Sequence, residues 1–354
     1  MNTSDNKTDF LIIGQGLAGS LLSWRLLERN QSVHLLDNHH QGSASMVAAG
    51  LFNPVIGKRL SISDQAQQQI NHALDFYQKL GDYFNETFFH PVDMLRLFKD
   101  QQQAQAFHQI PSASAFFRES YTHDVSLTPF KNDHGAVTQQ QTGYLDTVKL
   151  LSALKNHFLK KHCLTQTRFK YADLQIMDNG IIWQGRLYDQ VIFCEGHQML
   201  QNPWFEWLPL QPAKGDILTI HCENRITDKI INKGHWLLPV NDNTYKTGAP
   251  SYWRFIDHEP QNDKANLVCQ HFEALFEVPP AYQVSHHQAG IRPATRDKQA
   301  FIGKHPVYHN LNVFNGFGAR GSMLIPFYSK MMCDFLLNRA SLDNQVDIQR
   351  YWCS

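Results

Sequence analysis

Three glycines, Gly14, Gly16 and Gly19, separate a short apolar run at residues 10–13 from a stretch, 17–29, in which Ala18, Leu22 and Leu26 recur at helical spacing with Leu17 and Leu21 beside them. The next apolar run, residues 32–37, closes on an acid, Asp37. Strand, glycine turn, helix, strand and acid in that order make a dinucleotide-binding pattern. Each position has a mechanical reason. The first glycine permits the tight turn, and the second lets a pyrophosphate approach the backbone at Leu17 and Ala18, where the helix dipole is positive. The third lets helix and strand pack closely. Asp37 would accept hydrogen bonds from an adenosine ribose, and an acid there disfavours a 2′-phosphate. The plain alternative is a glycine-rich turn with no ligand.

A second glycine turn, Gly316, Gly318 and Gly321, follows an apolar run at 312–314 and precedes a helical pattern at 323–337. Such a turn leaves backbone N–H groups and the positive end of a helix dipole facing an acceptor whose negative charge grows during reaction. An ordinary glycine-rich helix start is the competing reading.

Composition narrows the partners. Lys plus Arg equals Asp plus Glu at 32 each, so no global field exists to hold a polyanion or an anionic membrane; small molecules are expected, with no nucleic acid and no membrane. The 19 His show no metal-ligand spacing, and no metal is expected. The six Cys, at 163, 194, 222, 269, 333 and 353, lack a CxxC and fit reduced thiols in the cytoplasm. The first eight residues are polar, and the apolar stretch after them is broken by Gly14, Gly16, Gly19 and Arg25, so neither a signal segment nor a membrane span is expected.

The remaining elements must position these turns. At 354 residues the chain exceeds one typical domain. A helix starting near Ser63 and Asp64 carries Ile70, Leu74, Tyr77 and Leu80 on one face. Alternation over 92–98 predicts a half-exposed strand of an antiparallel sheet, and the glutamines at 101–105 and 139–141 read as solvated helix or loop. A helix near 147–161 puts Val148, Leu151, Leu154 and Phe158 on a common face. Strands follow around Ile181 and over 188–194, ending at Glu195 and Gly196; antiparallel strands are predicted at 215–221, 235–240 and 244–249, with Asn241 to Asn243 as a hairpin turn, and then a helix at 262–276. Two sheet types interleaved along the chain predict two discontinuous domains.

Five stretches together resemble the D-amino-acid oxidase, glycine oxidase and sarcosine oxidase family of FAD enzymes. The stretch 42–54, with Ser45, Ala48, Ala49 and Gly50, is similar to the segment whose small residues let the backbone pass beside the isoalloxazine ring. The stretch 143–146, the stretch 188–196 ending in Gly196, the stretch 290–303 beginning Gly290, Ile291, Arg292 and Pro293, and the turn Asn315 to Gly321 look like that family's further landmarks, in the right order. The resemblance implies an α/β fold: a Rossmann-type FAD-binding domain at 1–85, 143–205 and 288–354, and an α+β substrate domain with an antiparallel sheet at 86–142 and 206–287. It implies FAD held by Gly14, Gly16, Leu17, Ala18, Gly19, Asp37, Ser45, Ala48, Ala49, Gly50, Gly196, Gly290, Arg292, Gly316, Gly318, Ala319, Arg320, Gly321 and Ser322.

Arg292 matches the arginine that holds the substrate carboxylate, and a guanidinium fork suits a carboxylate; a structural salt bridge is the alternative. Trp236 stands where glycine oxidase has a tyrosine three residues before a proline, a departure from the family's usual hydroxyl. Lys246 resembles the lysine of sarcosine oxidases thought to help reduced flavin react with dioxygen, against a plain strand lysine. Val47 stands where relatives attach flavin through histidine, and no Cys lies near Gly290, so FAD is expected to be non-covalent. The reaction implied is hydride transfer from a small amino acid or amine to flavin N5, with imine hydrolysis and reoxidation by dioxygen. Two alternatives keep the flavin: oxidation of an aminomethyl group on a tRNA base, and a flavin-binding partner protein without turnover.

Overall fold

The computed structural model describes every residue except 1–6, 39–42, 58, 111–113, 122–126, 128, 179, 255–256 and 353–354; Gly42 and Cys353 thus lie outside the described residues. The chain divides into two compact units: 1–46, 147–213 and 291–354 form the first, and 47–146 with 214–290 form the second. This division differs from the expected one chiefly at 47–85 and 143–146. Residues Leu51–Phe52 and Phe89–Pro91 flank Gly143–Leu145 in a small antiparallel sheet, which ties all three pieces to the second unit.

The first unit is built on parallel strands in the order Leu164–Gln166, Val33–Asp37, Lys7–Ile13, Arg186–Phe193 and Leu311–Asn315. Leu11 and Ile12 are fully buried on opposite faces of the central strand, which is why that run shows no alternation. Strand Phe301–Lys304 pairs antiparallel with Leu311–Asn315, and Gly180–Trp183 with Leu174–Met177 extends the other part of the sheet. One side carries a core of Leu11, Ile13, Val191, Phe193, Phe205 and Val313. Helices Leu17–Glu28, Thr147–Lys160 and Gly321–Leu336 belong to the same unit, and the first packs on the other two. The helix at 147–160 buries Leu150, Leu151, Leu154 and Phe158, whereas Val148, expected on that face, is exposed.

Arg25 fastens the first helix to the last. Its Nε donates to Ser329 Oγ (2.8 Å) and its Nη2 to the Pro326 carbonyl (2.9 Å). Burial lowers this guanidinium to a pKa of about 10, which leaves it charged.

The second unit holds an eight-stranded sheet in the order Tyr282–Arg292, Ala213–Cys222, Thr244–Gly248, Trp236–Pro239, Ile230–Asn232, Met94–Leu97, Ala136–Gln139 and Phe117–Tyr121. Helix Asn262–Glu273 contributes Val268 and Phe272 to one face, against Leu95, Leu97, Leu218, Leu237 and Tyr245. Met94, Ile217, Ile230 and Leu238 point to the other face and pack with Val47 and Ala49. Both faces are therefore covered. Strand Met94–Leu97, expected to be half-exposed, is buried at every residue for this reason. Gln139, expected in a solvated segment, is also fully buried.

His34 links three parallel strands of the first unit: Nδ1 meets Tyr188 Oη (2.6 Å) and Nε2 meets Thr165 Oγ1 (2.8 Å). Burial pushes its pKa down to about 4, from about 6.5 in an unfolded chain. On acidification the unfolded chain takes the proton first, so this contribution is intact above pH ~6.5 and is lost as pH falls towards ~4, at roughly 1 kcal/mol per pH unit. His235, lowered to about 4 by burial, acts in the same direction. Urea unfolding at pH 7.5 and 5 is expected to show this loss, and His34→Gln to reduce its slope.

Candidate functional site

The parallel strands of the first unit end at one edge, and the glycine turns leave from that edge. Gly14 has φ +105°, and a Cβ there would lie 2.6 Å from the Cys194 carbonyl oxygen. A Cβ on Gly19 would lie 1.9 Å from the Gly14 carbonyl oxygen, and one on Gly16 would lie 3.3 Å from Ser45 Oγ. The helix at 17–28 has no side-chain cap at Gly16; the Leu17 N–H donates to Ser45 Oγ (3.0 Å), which brings Ser45 to the same turn as Ala18. Asp37 is held at the end of its strand, where Oδ1 accepts from the Gln15 N–H (3.2 Å). A cradle closed to side chains, a helix N-terminus at its mouth and an acid beside them suit the pyrophosphate and ribose of a dinucleotide.

The last strand leaves the same edge. Asn315 Nδ2 donates to the Gly196 carbonyl (2.8 Å), tying two strand ends together. Gly316 has φ +82°, and a Cβ there would meet Thr295 Cγ2 at 2.8 Å. The Gly318 N–H donates to the Pro293 carbonyl (3.1 Å), so half-buried Arg292 is placed beside the turn Gly316, Gly318, Ala319. Arg320 caps the final helix without a side-chain cap bond, and that helix starts at Gly321 and Ser322, two residues before the expected 323. Arg320 Nη2 donates to the Lys298 carbonyl (3.1 Å). Its bond is thus to protein backbone.

The same edge holds a carboxyl that the sequence motifs do not single out. Glu195 accepts from Tyr171 Oη (2.7 Å) and Asn202 Nδ2 (2.9 Å), while burial raises its pKa to about 7. The only sequence signal was an acid in an otherwise apolar strand end.

In the second unit, Trp236 lies opposite Gly248, and Leu238 opposite Lys246. Strand alternation therefore puts Trp236, Leu238 and Lys246 on the face that meets Val47 and Ala49. Lys246 is half-buried rather than a freely exposed strand residue. Gly50 has φ +68°, and a Cβ there would lie 1.9 Å from the Leu145 carbonyl oxygen. A Cβ on Gly290 would lie 3.1 Å from Val47 Cβ, so this glycine lets its strand pass the segment carrying Val47 and Ala48. Among the described residues, no group of three His, Cys, Asp or Glu could hold a metal ion, and no helix is long and apolar enough to cross a membrane.

Comparison with known proteins identifies the family. The family model described as FAD dependent oxidoreductase matches residues 9–335. Glycine oxidase of Pseudomonas putida is 25% identical over 351 residues, covering 92% of this chain and 93% of the relative. The tRNA 5-methylaminomethyl-2-thiouridine biosynthesis bifunctional protein of Marinobacter nauticus is 22% identical over 92% of this chain, which spans 54% of that protein. Among solved structures, iminodiacetate oxidase from Chelativorans sp. BNC1 superposes with TM-score 0.81 at 19% identity, covering 97% of this chain and 98% of that one. Glycine oxidase from Geobacillus kaustophilus gives TM-score 0.78 at 17% identity, covering 96% and 97%.

The glycine cradle generates a direct expectation. Gly19→Ala cannot be absorbed without moving the Gly14 carbonyl, so the purified variant should be colourless and lack the visible absorption of bound flavin, while its far-ultraviolet circular dichroism keeps the wild-type shape.

Proposed function

The chain belongs to the DAO family of FAD-dependent oxidoreductases, enzymes that act on amines or amino acids, and from that premise we propose that it oxidises a small amino acid or secondary amine. FAD, when bound, supplies the acceptor for a hydride from the substrate α-carbon, and the resulting imine hydrolyses in water.

We assign the pyrophosphate to Gly14, Gly16, Leu17, Ala18 and Gly19, and the ribose to Asp37. Ser45, Ala48, Ala49, Gly50, Gly196, Gly290 and the turn from Gly316 to Ser322 serve the flavin end. Arg292 holds the substrate carboxylate through its two-pronged guanidinium and so orients the α-C–H bond. Trp236 forms a pocket wall; its indole N–H is a neutral donor, weaker towards a carboxylate than a charged group. Lys246 supplies positive charge that favours electron transfer to dioxygen. The single observation behind this assignment is the bond from the Gly318 N–H to the Pro293 carbonyl, which sets Arg292 against the glycine turn. The six cysteines, with no CxxC among them, favour a reducing, cytoplasmic setting.

A second reading, an aminomethyl group of a tRNA base as substrate, draws on the relative from Marinobacter nauticus. The equal count of 32 basic and 32 acidic residues weighs against it, and tRNA binding that weakens steeply with salt would favour it.

The test is anaerobic bleaching of the bound flavin against D-, L- and N-methyl amino acids, with iminodiacetate included. At least one small amine is expected to bleach it. A flavin that no amine reduces, with a partner protein that co-purifies, would instead identify a binder without turnover. Arg292→Ala should raise the half-saturating amine concentration roughly 100-fold, as expected for two charge-assisted hydrogen bonds at about 1.5 kcal/mol each. Lys246→Met should slow reoxidation by dioxygen in stopped flow while leaving the anaerobic reduction rate within about twofold.

A further inference from the structure

Arg96 is a buried charge with no carboxylate partner among the described residues. It lies on strand Met94–Leu97, two residues from Met94 and therefore on the same face, the one that also carries Trp236, Leu238 and Lys246. The side chain belongs to a residue only 4% exposed. Nε donates to Gln139 Oε1 (3.2 Å), and Nη2 to the Val55 carbonyl (2.9 Å) and Asn53 Oδ1 (3.4 Å). All three acceptors are neutral. Desolvation lowers the guanidinium to a pKa of about 10, so it remains a cation at neutral pH.

Asn53 is oriented by the same network. Its Oδ1 accepts from Gln139 Nε2 (2.8 Å) and the Val55 N–H (3.1 Å) as well as from Arg96, which directs the carboxamide nitrogen away from these groups. Arg96 Nη1 and Asn53 Nδ2 donate to no described residue. A desolvated cation whose neutral acceptors are already engaged, with a second open donor one residue away in the network, lacks only an anion. A cationic ligand would be repelled, and an apolar one would leave both donors unsatisfied.

We propose that Arg96 Nη1 and Asn53 Nδ2 form an oxyanion site, within the second unit, that binds a carboxylate of the substrate and so favours a dianionic amine. That the ligand is the substrate rests on the amine-oxidation reading above; the anion site itself does not. Arg96 and Asn53 then determine specificity, and neither takes part in the oxidation.

Two measurements on the FAD-loaded protein separate the site from the reaction. Isothermal titration calorimetry with malonate, a dianion that cannot give up a hydride, is expected to show binding that weakens at least tenfold in Arg96→Gln and recovers in part in Arg96→Lys. Equal malonate affinity in wild type and Arg96→Gln, or no binding by wild type, overturns the site. In anaerobic bleaching, the ratio of half-saturating concentrations for N-methylglycine over iminodiacetate should fall at least tenfold in Arg96→Gln; an unchanged ratio overturns the substrate assignment. Malonate binding as expected with no bleaching by either amine would leave the site standing and refute the amine reading. Should Arg96→Gln fail to hold FAD, Asn53→Asp serves instead, because a carboxylate beside the guanidinium should abolish malonate binding; retained affinity in that variant overturns the proposal.

Discussion

The first unit depends on one close approach, that of Gly19 to the carbonyl of Gly14. With no Cβ in the gap, helix Leu17–Glu28 starts directly against the end of strand Lys7–Ile13, and a Cβ would have stood 1.9 Å from that oxygen. The short distance fixes the direction in which the helix dipole emerges from the sheet. At the helix start Gly16 supplies no side-chain cap, and the Leu17 N–H is taken by Ser45 Oγ. The last helix repeats the device from the other end of the chain, and Arg25 joins the two helices through Ser329 and Pro326. Two separate glycine turns thereby become parts of one strand edge.

Buried polar groups divide the work of the two units differently. In the first, His34 and Glu195 are fully engaged by hydroxyl and amide partners, and each has a pKa displaced towards its neutral form by burial. These groups favour a rigid sheet at neutral pH. In the second, Arg96 is surrounded by neutral acceptors and stays charged, a costly arrangement unless an anion completes it. The sheet face that carries it also carries Trp236 and Lys246. Polar chemistry in this unit therefore gathers on one face, while helix Asn262–Glu273 seals the other with apolar side chains.

The parallel core of the first unit was legible in the chain because its physics is local. An unbroken apolar run, glycines at fixed offsets and an acid at the next strand end are contiguous features, and the structure places the elements at 7–13, 17–28 and 33–37, against 10–13, 17–29 and 32–37 expected. The second unit was less legible. Strand Met94–Leu97 reads as alternating, yet all of it is buried, because covering both faces of a sheet is decided by elements distant in sequence. Val148 and Gln139 were misjudged for the same reason: which stripe of a helix or side of a strand meets solvent depends on what packs against it.

The sequence by itself determined the kinds of turn this protein contains, since only glycine fits φ values such as +105° at Gly14 or +82° at Gly316, and it determined the family through the order of those turns. Tertiary structure alone decided which side chains share a surface. Arg292 stands beside Gly318 through a backbone bond between loops, and Arg96 meets Asn53 and Gln139 across separate segments. Such meetings follow from strand order and from the covering of each sheet face, which are properties of the whole packed chain and leave no signal in any short window of it.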